Sequence, residues 1–389
     1  MAPRVLHVAQ PVEGGTAVCA ERIVADQRKR GWEVAVACPG TGALPVALVR
    51  RGIPHLTWSA RRAPGPWVVR EIRDLRALMD LARPDVVHLH SSKAALAGRL
   101  AIRGAVPTIV SPHGWSWLAV GPALAGAARA WERFGARWTD LCVCVGPGEA
   151  GLAVEAGVPG PLEVVRNGVD LTRFRPAGPA ARRTARAALL LGPDEPLAVC
   201  VGRVCRQKGQ DVALRAWPAV RAAVPGARLL LVGDPGAAAV PRQPGIEVVG
   251  AVADVRPWLA AADVVVLPSR WEGLSLALLE ALATGRAVVA SGVPGLADAV
   301  GEGTGALVPP DDEAALAAAV AARLSDPDRC SAEGVEAAAV AREFDLRHGL
   351  DHLAAVTAVV AAGAGRSPAL RRTTGVVDRS PSAVRTAGW

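Results

Sequence analysis

The chain has 389 residues, 51% of them hydrophobic and 21% charged. That length allows two domains with separate cores. The balance excludes a disordered chain, and no apolar run reaches the ~18 to 20 residues of a membrane span. The formal charge of +8 is uneven: residues 1–165 hold 19 Lys and Arg against 13 Asp and Glu, whereas residues 166–362 hold 20 against 22. A basic first half predicts anionic partners, phosphates or lipid headgroups. Nucleic acid is disfavoured, because no recognised binding motif accompanies the charge. Seven cysteines without a CxxC pair suggest neither a zinc site nor a disulfide framework. MAPRVLHVAQ starts directly as a strand and lacks the layout of a signal peptide, so the expected location is the cytoplasm.

In chain order, the predicted strands of the first half are RVLHVA, EVAVAC, DVVHLH, TIVSPH, DLCVCV and LEVV. RNGVDLTRFRPAGP, residues 166–179, then combines an Asn-Gly turn signal with prolines and charges, and reads as a domain boundary. The second half continues with LAVCVG, RLLLVG, IEVVG, DVVVLPS, AVVAS and GALVPP. Most are continuous apolar runs, as parallel strands covered on both faces require. Helical segments of ~10 to 15 residues separate them, which makes a βα repeat. The fold class is therefore α/β, with two doubly wound parallel-sheet domains in tandem, residues 1–166 and 167–362. Residues 345–362 read as a final helix, and residues 363–389 have the Ser, Pro, Gly and Arg content of a disordered extension.

Ligands of open α/β sheets bind beyond the carboxyl ends of the strands, and the chemistry-bearing motifs stand there. QPVEGGTA follows the first strand; Gly14 and Gly15 let backbone amides approach an anion at a helix start, although a tight turn without a ligand fits equally. It is not GxGxxG, so a dinucleotide site is disfavoured. VGRVCRQKG brackets a turn with Arg203 and Lys208, a fork and a point charge suited to a diphosphate; a solvated basic loop is the alternative. PSRWEGLSLALLEALATGRAVVAS places Glu272 at a strand end and Glu280 about two turns into a helix, with the amides of Gly273, Leu274, Ser275 and Leu276 between them. Eight residues span at most about 12 Å as a helix. That suits two ends of one elongated ligand, a nucleotide sugar gripped by its hydroxyls with phosphate between.

E-x7-E in this context, with GRVCRQKG upstream, NGVD at the junction, EGG near the N-terminus and PHG after a first-half strand, closely resembles the retaining glycosyltransferases of family 4. The resemblance spans residues 1 to about 360. It implies the GT-B fold, two Rossmann-like domains facing across a cleft, with the nucleotide-sugar donor held mainly by the second. It also implies that Arg203 and Lys208 hold the diphosphate, that Glu280 binds the ribose and that Glu272 binds the donor hexose. Backbone around Val252 would receive the base, Gly15 would approach the donor phosphate, and His113 would point at the reacting sugar, although a lone histidine is usually structural. Transfer with retention would use the departing phosphate as base, with no cofactor and no divalent ion, and no Asp-x-Asp metal motif is expected in the chain. Pro294-Gly295 and Asp298 stand where relatives often carry Gly-Gly and a glutamate, so Asp298 is not placed among the site residues.

The acceptor side is carried by composition. Trp115 and Trp117 follow His113. In RAWERFGARW, Arg129, Arg133 and Arg137 form one helical stripe, and Trp131 and Trp138 another. Such a helix can lie weakly on an anionic membrane, or pack its tryptophans and leave its arginines in water. The expected acceptor is a lipid-linked or cell-envelope saccharide at the inner face of a membrane. A soluble metabolite such as an aminocyclitol or antibiotic core is the alternative, and a GT-B phosphorylase or nucleotide-sugar epimerase is the rival outside the class.

Overall fold

The computed structural model describes residues 2–236 and 240–363; the extension expected from 363 onward lies, from residue 364, outside the described residues. The first sheet contains β1 (Arg4–Ala9), β2 (Glu33–Cys38), β3 (His55–Thr57), β4 (Val86–His90), β5 (Thr108–Ser111), β6 (Leu141–Cys144) and β7 (Leu162–Val164). Their order is β3-β2-β1-β4-β5-β6-β7, parallel throughout. The second contains β8 (Leu197–Val201), β9 (Arg228–Val232), β10 (Ile246–Gly250), β11 (Val264–Leu267), β12 (Ala287–Ser291) and β13 (Gly305–Val308). Its order is β10-β9-β8-β11-β12-β13, also parallel. Both are doubly wound sheets of the Rossmann-like kind. The strands β4, β8 and β12 are buried along their whole length; Val, Ala and Leu dominate them, as cover on both faces requires, and β4 also buries His88 and His90.

Twelve of these strands coincide with the predicted runs. The short edge strand β3, HLT, is the addition, because three half-exposed residues carry no apolar run to detect. In each sheet the strand order reverses once, between β1 and β4 and between β8 and β11. A crevice opens at such a reversal. The loops after β1, β8 and β11 carry Gly14 and Gly15, Arg203 and Lys208, and Glu272.

The final helix, Leu346–Ala361, departs from the expected division of the chain. Its position in sequence assigns it to 167–362, yet Leu353 and Val360 pack in the core of the first sheet with Val5, Ala9, Val86 and Ile109. Periodicity shows that a helix has an apolar face; it does not show which sheet has room for it. Asn167 and Asp298 join the two halves further, Asn167 Oδ1 accepting from Cys19 Sγ of the first half at 3.4 Å. Asn167 Nδ2 donates to the Leu274 carbonyl, and both Asp298 oxygens accept from the Gly148 amide at 3.1 Å.

Candidate active site

One face of the candidate site is built on the second sheet. After β8 the chain turns through Arg206–Lys208 into Gly209, whose φ of +66° and contact with the Pro268 carbonyl leave no space for a Cβ. This close approach lays Lys208 against the end of β11. Lys208 Nζ donates to Glu272 Oε1 at 2.5 Å, and Ser269 Oγ donates to the same oxygen at 2.9 Å. Glu272 is 8% exposed, and its Oε2 has no protein hydrogen bond among the described residues. The Arg203 guanidinium has no hydrogen bond or ion pair among the described residues.

The helix Leu276–Ala283 begins beside this pair, with Ser275 as its N-cap; the Ser275 hydroxyl is buried and has no partner among the described residues. A buried hydroxyl without a partner is costly, and at a helix N-terminus it is placed for an anion. Leu274 is a core residue whose carbonyl accepts from Asn167, and Leu276 lines a cavity shared with His113, Arg166 and Asn167. Gly273 fits tightly: a Cβ there would stand 2.9 Å from Val145 and 3.6 Å from the His113 carbonyl carbon. Side-chain space is thus closed where the two halves meet.

Glu280 projects from the same helix toward the first half, 3.5 Å from Arg22 Nη2, and Arg22 also donates to the Gly168 carbonyl. Burial raises the Glu280 carboxyl above its ordinary range, while Arg22 and Arg173 pull it back and Asp254 pushes it up further. Asp254 lies two residues beyond Val252, so Glu280 stands near the turn after β10. Each glutamate of the apolar stretch therefore has a cation: Lys208 for Glu272 and Arg22 for Glu280.

On the opposing face, His113 follows β5 with φ of +52°, and Gly114 has φ of +99°. Left-handed backbone at a histidine is held only by its surroundings. Here Glu149 provides them, accepting from the amides of Gly114 and Val145 (2.8 Å for the latter). Burial pushes the Glu149 carboxyl up to about 7 and the His113 imidazole down to about 4. Trp115 and Trp117 are buried and stacked at 4.5 Å, and Trp115 Nε1 donates to the Glu149 carbonyl. They brace this turn rather than line the cleft. Gly15 is exposed, with nothing within 4 Å of a notional Cβ. Arg62, between β3 and the helix Val68–Ala82, has no ion pair or hydrogen bond for its side chain among the described residues. Burial and the like charge of Arg203 hold its pKa below the usual arginine range.

Residues 13–173 match the family description Glycosyltransferase Family 4, and residues 195–326 match Glycosyl transferases group 1. The alpha-maltose-1-phosphate synthase of Mycolicibacterium smegmatis is 33% identical over 299 residues, covering 67% of this chain and 75% of that protein. The chain belongs to the family 4 glycosyltransferases. The D-inositol 3-phosphate glycosyltransferase of Nocardia farcinica is 36% identical over 205 residues, 48% of this chain and 45% of that protein; the chain spans about half the length of the first curated relatives it matches. The Anabaena protein Alr3699/HepE, crystallised with UDP and glucose, superposes with a TM-score of 0.78 at 20% identity, covering 92% of this chain and 99% of that one. The fold is GT-B.

In this family member the sequence-predicted residues Arg203, Lys208 and Glu272 stand at the ends of β8 and β11, Ser275 and Glu280 cap and extend the helix Leu276–Ala283 that follows, and His113 faces them beside Gly273. Leu274 contributes through backbone, its side chain being core. Val252 is half-buried against the second core in the turn after β10. The sequence passes over Arg22, Arg62 and Glu149, and reads Asn167 only as part of the turn at the junction. Arg22 lies on a helix face and Arg62 in a basic loop, and no local pattern marks either as facing the cleft. It also passes over Asp326-Pro327-Asp328, the one Asp-x-Asp of the chain. Asp326 caps the helix Pro327–Ala341 by accepting from the Arg329 amide, a structural role.

Proposed function

We propose that this glycosyltransferase moves a hexose-type sugar from a nucleoside diphosphate sugar to an acceptor hydroxyl with retention of configuration and without a divalent ion. One observation carries the reading. Two glutamates are held by cations at the ends of a short track, and along it the Arg203 guanidinium and the Ser275 hydroxyl have no partner among the described residues. The diphosphate fits that track, with Glu280 at the ribose and Glu272 Oε2 at a hexose hydroxyl. Lys208 and Ser269 already occupy Glu272 Oε1, which suits a positioning carboxylate more than a nucleophile. The bond from the sugar to phosphate oxygen breaks as the acceptor oxygen bonds to the same carbon. The acceptor proton passes to the departing phosphate, and Arg203, Lys208 and the helix start stabilise the charge that develops there.

The preferred acceptor is a lipid-linked or cell-envelope saccharide. Support comes from the helix Pro122–Gly135, where Leu124 is 64% and Phe134 44% exposed and Arg129 and Arg133 are exposed as well, with Arg137 just beyond its end. No described helix is long and apolar enough to cross a membrane, so association would be peripheral. A soluble acceptor bearing phosphate is the second reading, favoured by relatives named for D-inositol 3-phosphate and maltose-1-phosphate and by Arg62 beside Arg203.

Incubating the purified chain with UDP-, GDP- and ADP-hexoses and candidate acceptors, and following the anomeric proton by NMR, tests the reading. An α-linked product from an α-linked donor is expected. An inverted linkage, an isomerised donor or phosphorolysis alone would reject it.

A further inference from the structure

Beneath the cleft runs a row of buried rings. His7 on β1 lies opposite His88 on β4, and His7, His88 and His90 are wholly buried. Gln27 Oε1 is 2.8 Å from His7 Nε2, His7 Nδ1 is 2.9 Å from His90 Nε2, and His90 Nδ1 is 3.2 Å from His113 Nε2. The row thus joins the helix Gly14–Lys29 to the cleft. His88 stacks on His90 at 4.0 Å and bonds Ser111 Oγ at 2.8 Å, which fixes the row from the side. Nitrogens of His7, His88 and His90 lie within 4.8 Å of one another, but those of His7 and His90 are occupied by each other, by Gln27 and by His113. Burial keeps all four rings neutral at neutral pH.

A neutral imidazole has one N–H and one bare nitrogen, so a row of them has a direction. With Gln27 Oε1 as acceptor, His7 must carry its proton on Nε2 and accept at Nδ1. His90 then donates from Nε2 and accepts at Nδ1, and His113 donates from Nε2. We propose that Gln27, acting through His7 and His90, is a positioning residue that fixes the His113 tautomer, leaving Nδ1 bare to accept a hydrogen bond from a hydroxyl of the bound sugar. This rests on the reading of His113 as a sugar contact. Reversing Gln27 would reverse every proton in the row and make His113 a donor, so an amide deep in the core selects which kind of sugar atom the cleft can hold.

Long-range proton–nitrogen correlation spectra of the full chain labelled with 15N-histidine, assigned with His113→Ala, report the tautomers directly. His7, His90 and His113 are each expected with the proton on Nε2 alone. In Gln27→Leu a second His113 tautomer appears and kcat/KM for transfer falls roughly three- to tenfold, the worth of one hydrogen bond. A wild-type spectrum with the proton on His113 Nδ1 overturns the proposal, and it decides the matter even if Gln27→Leu does not fold. Gln27→Leu with an unchanged tautomer and rate overturns it as well. Full transfer activity in His113→Ala would overturn the sugar contact, a failure distinct from that of the row, which the spectrum alone reports.

Discussion

Replacing Glu280 by alanine tests the proposed ribose contact. Its side chain is 15% exposed and lies 3.5 Å from Arg22, so a hydroxyl bound there meets a shielded, charged acceptor. Loss of a hydrogen bond to a charged group is worth about 1.5 to 3 kcal/mol, which predicts that Kd for a nucleoside diphosphate rises between about tenfold and a little over a hundredfold. The fold should persist, because Arg22 keeps its bond to the Gly168 carbonyl and the helix keeps its core residues Leu278, Leu279 and Leu282. Calorimetric titration with UDP, GDP and ADP, alongside thermal denaturation, separates binding from folding. Unchanged affinity for whichever nucleotide the wild type binds would refute the ribose assignment. A loss confined to thermal stability would instead make Glu280 a clasp between the two halves.

Lys208→Ala should weaken the same binding by a similar amount and also lower stability by about 1 to 3 kcal/mol, since it leaves the buried Glu272 with Ser269 alone; chemical denaturation checks the second part. Transfer should continue in EDTA, the charge being met by Arg203 and Lys208, and a large recovery on adding magnesium or manganese would refute this. The buried histidines should make the chain acid-labile. Their folded pKa values lie below the ordinary 6.5, with His7 and His113 at about 4. The unfolded chain therefore binds more protons between those values, and stability is present above about pH 6.5 and lost as pH falls toward 4. Each such ring contributes about 2 to 3 kcal/mol, so urea titrations that find equal stability at pH 7 and 4.5 would contradict it. Anionic vesicles should co-sediment the wild type at low salt and release it at high salt, at about 1 kcal/mol per arginine. Arg129→Gln, Arg133→Gln and Arg137→Gln together should abolish this, and wild type that stays in the supernatant would favour the soluble acceptor.

The acidic stretch shows how far local pattern reaches. PSRWEGLSLALLEALATG announces strand, turn and helix, and puts Glu272 and Glu280 at the right distance along them. A carboxylate in an apolar run also demands a partner. Lys208 is within reach of inference because its motif follows a strand of the same sheet. Arg22 is not, because it comes from a helix of the other half, 258 residues earlier. Trp115 and Trp117 show the opposite error: nearness in sequence to His113 suggests the cleft, whereas stacking and the bond to the Glu149 carbonyl place them in the core.

By itself, then, the sequence determined what is local and periodic. Unbroken apolar runs specified parallel strands, their alternation with helices specified two doubly wound sheets, and glycine, arginine and glutamate at strand ends marked the place of the proposed phosphate-and-sugar site. Tertiary structure decided what depends on which surfaces meet. It sent the final helix to the first sheet, set Asp298 on the Gly148 amide and gave Glu280 its arginine. It also aligned His7, His90 and His113 across two strands and a loop. Side chains on separate strands are brought within hydrogen-bond distance by sheet register and packing, and no spacing along one chain records that distance.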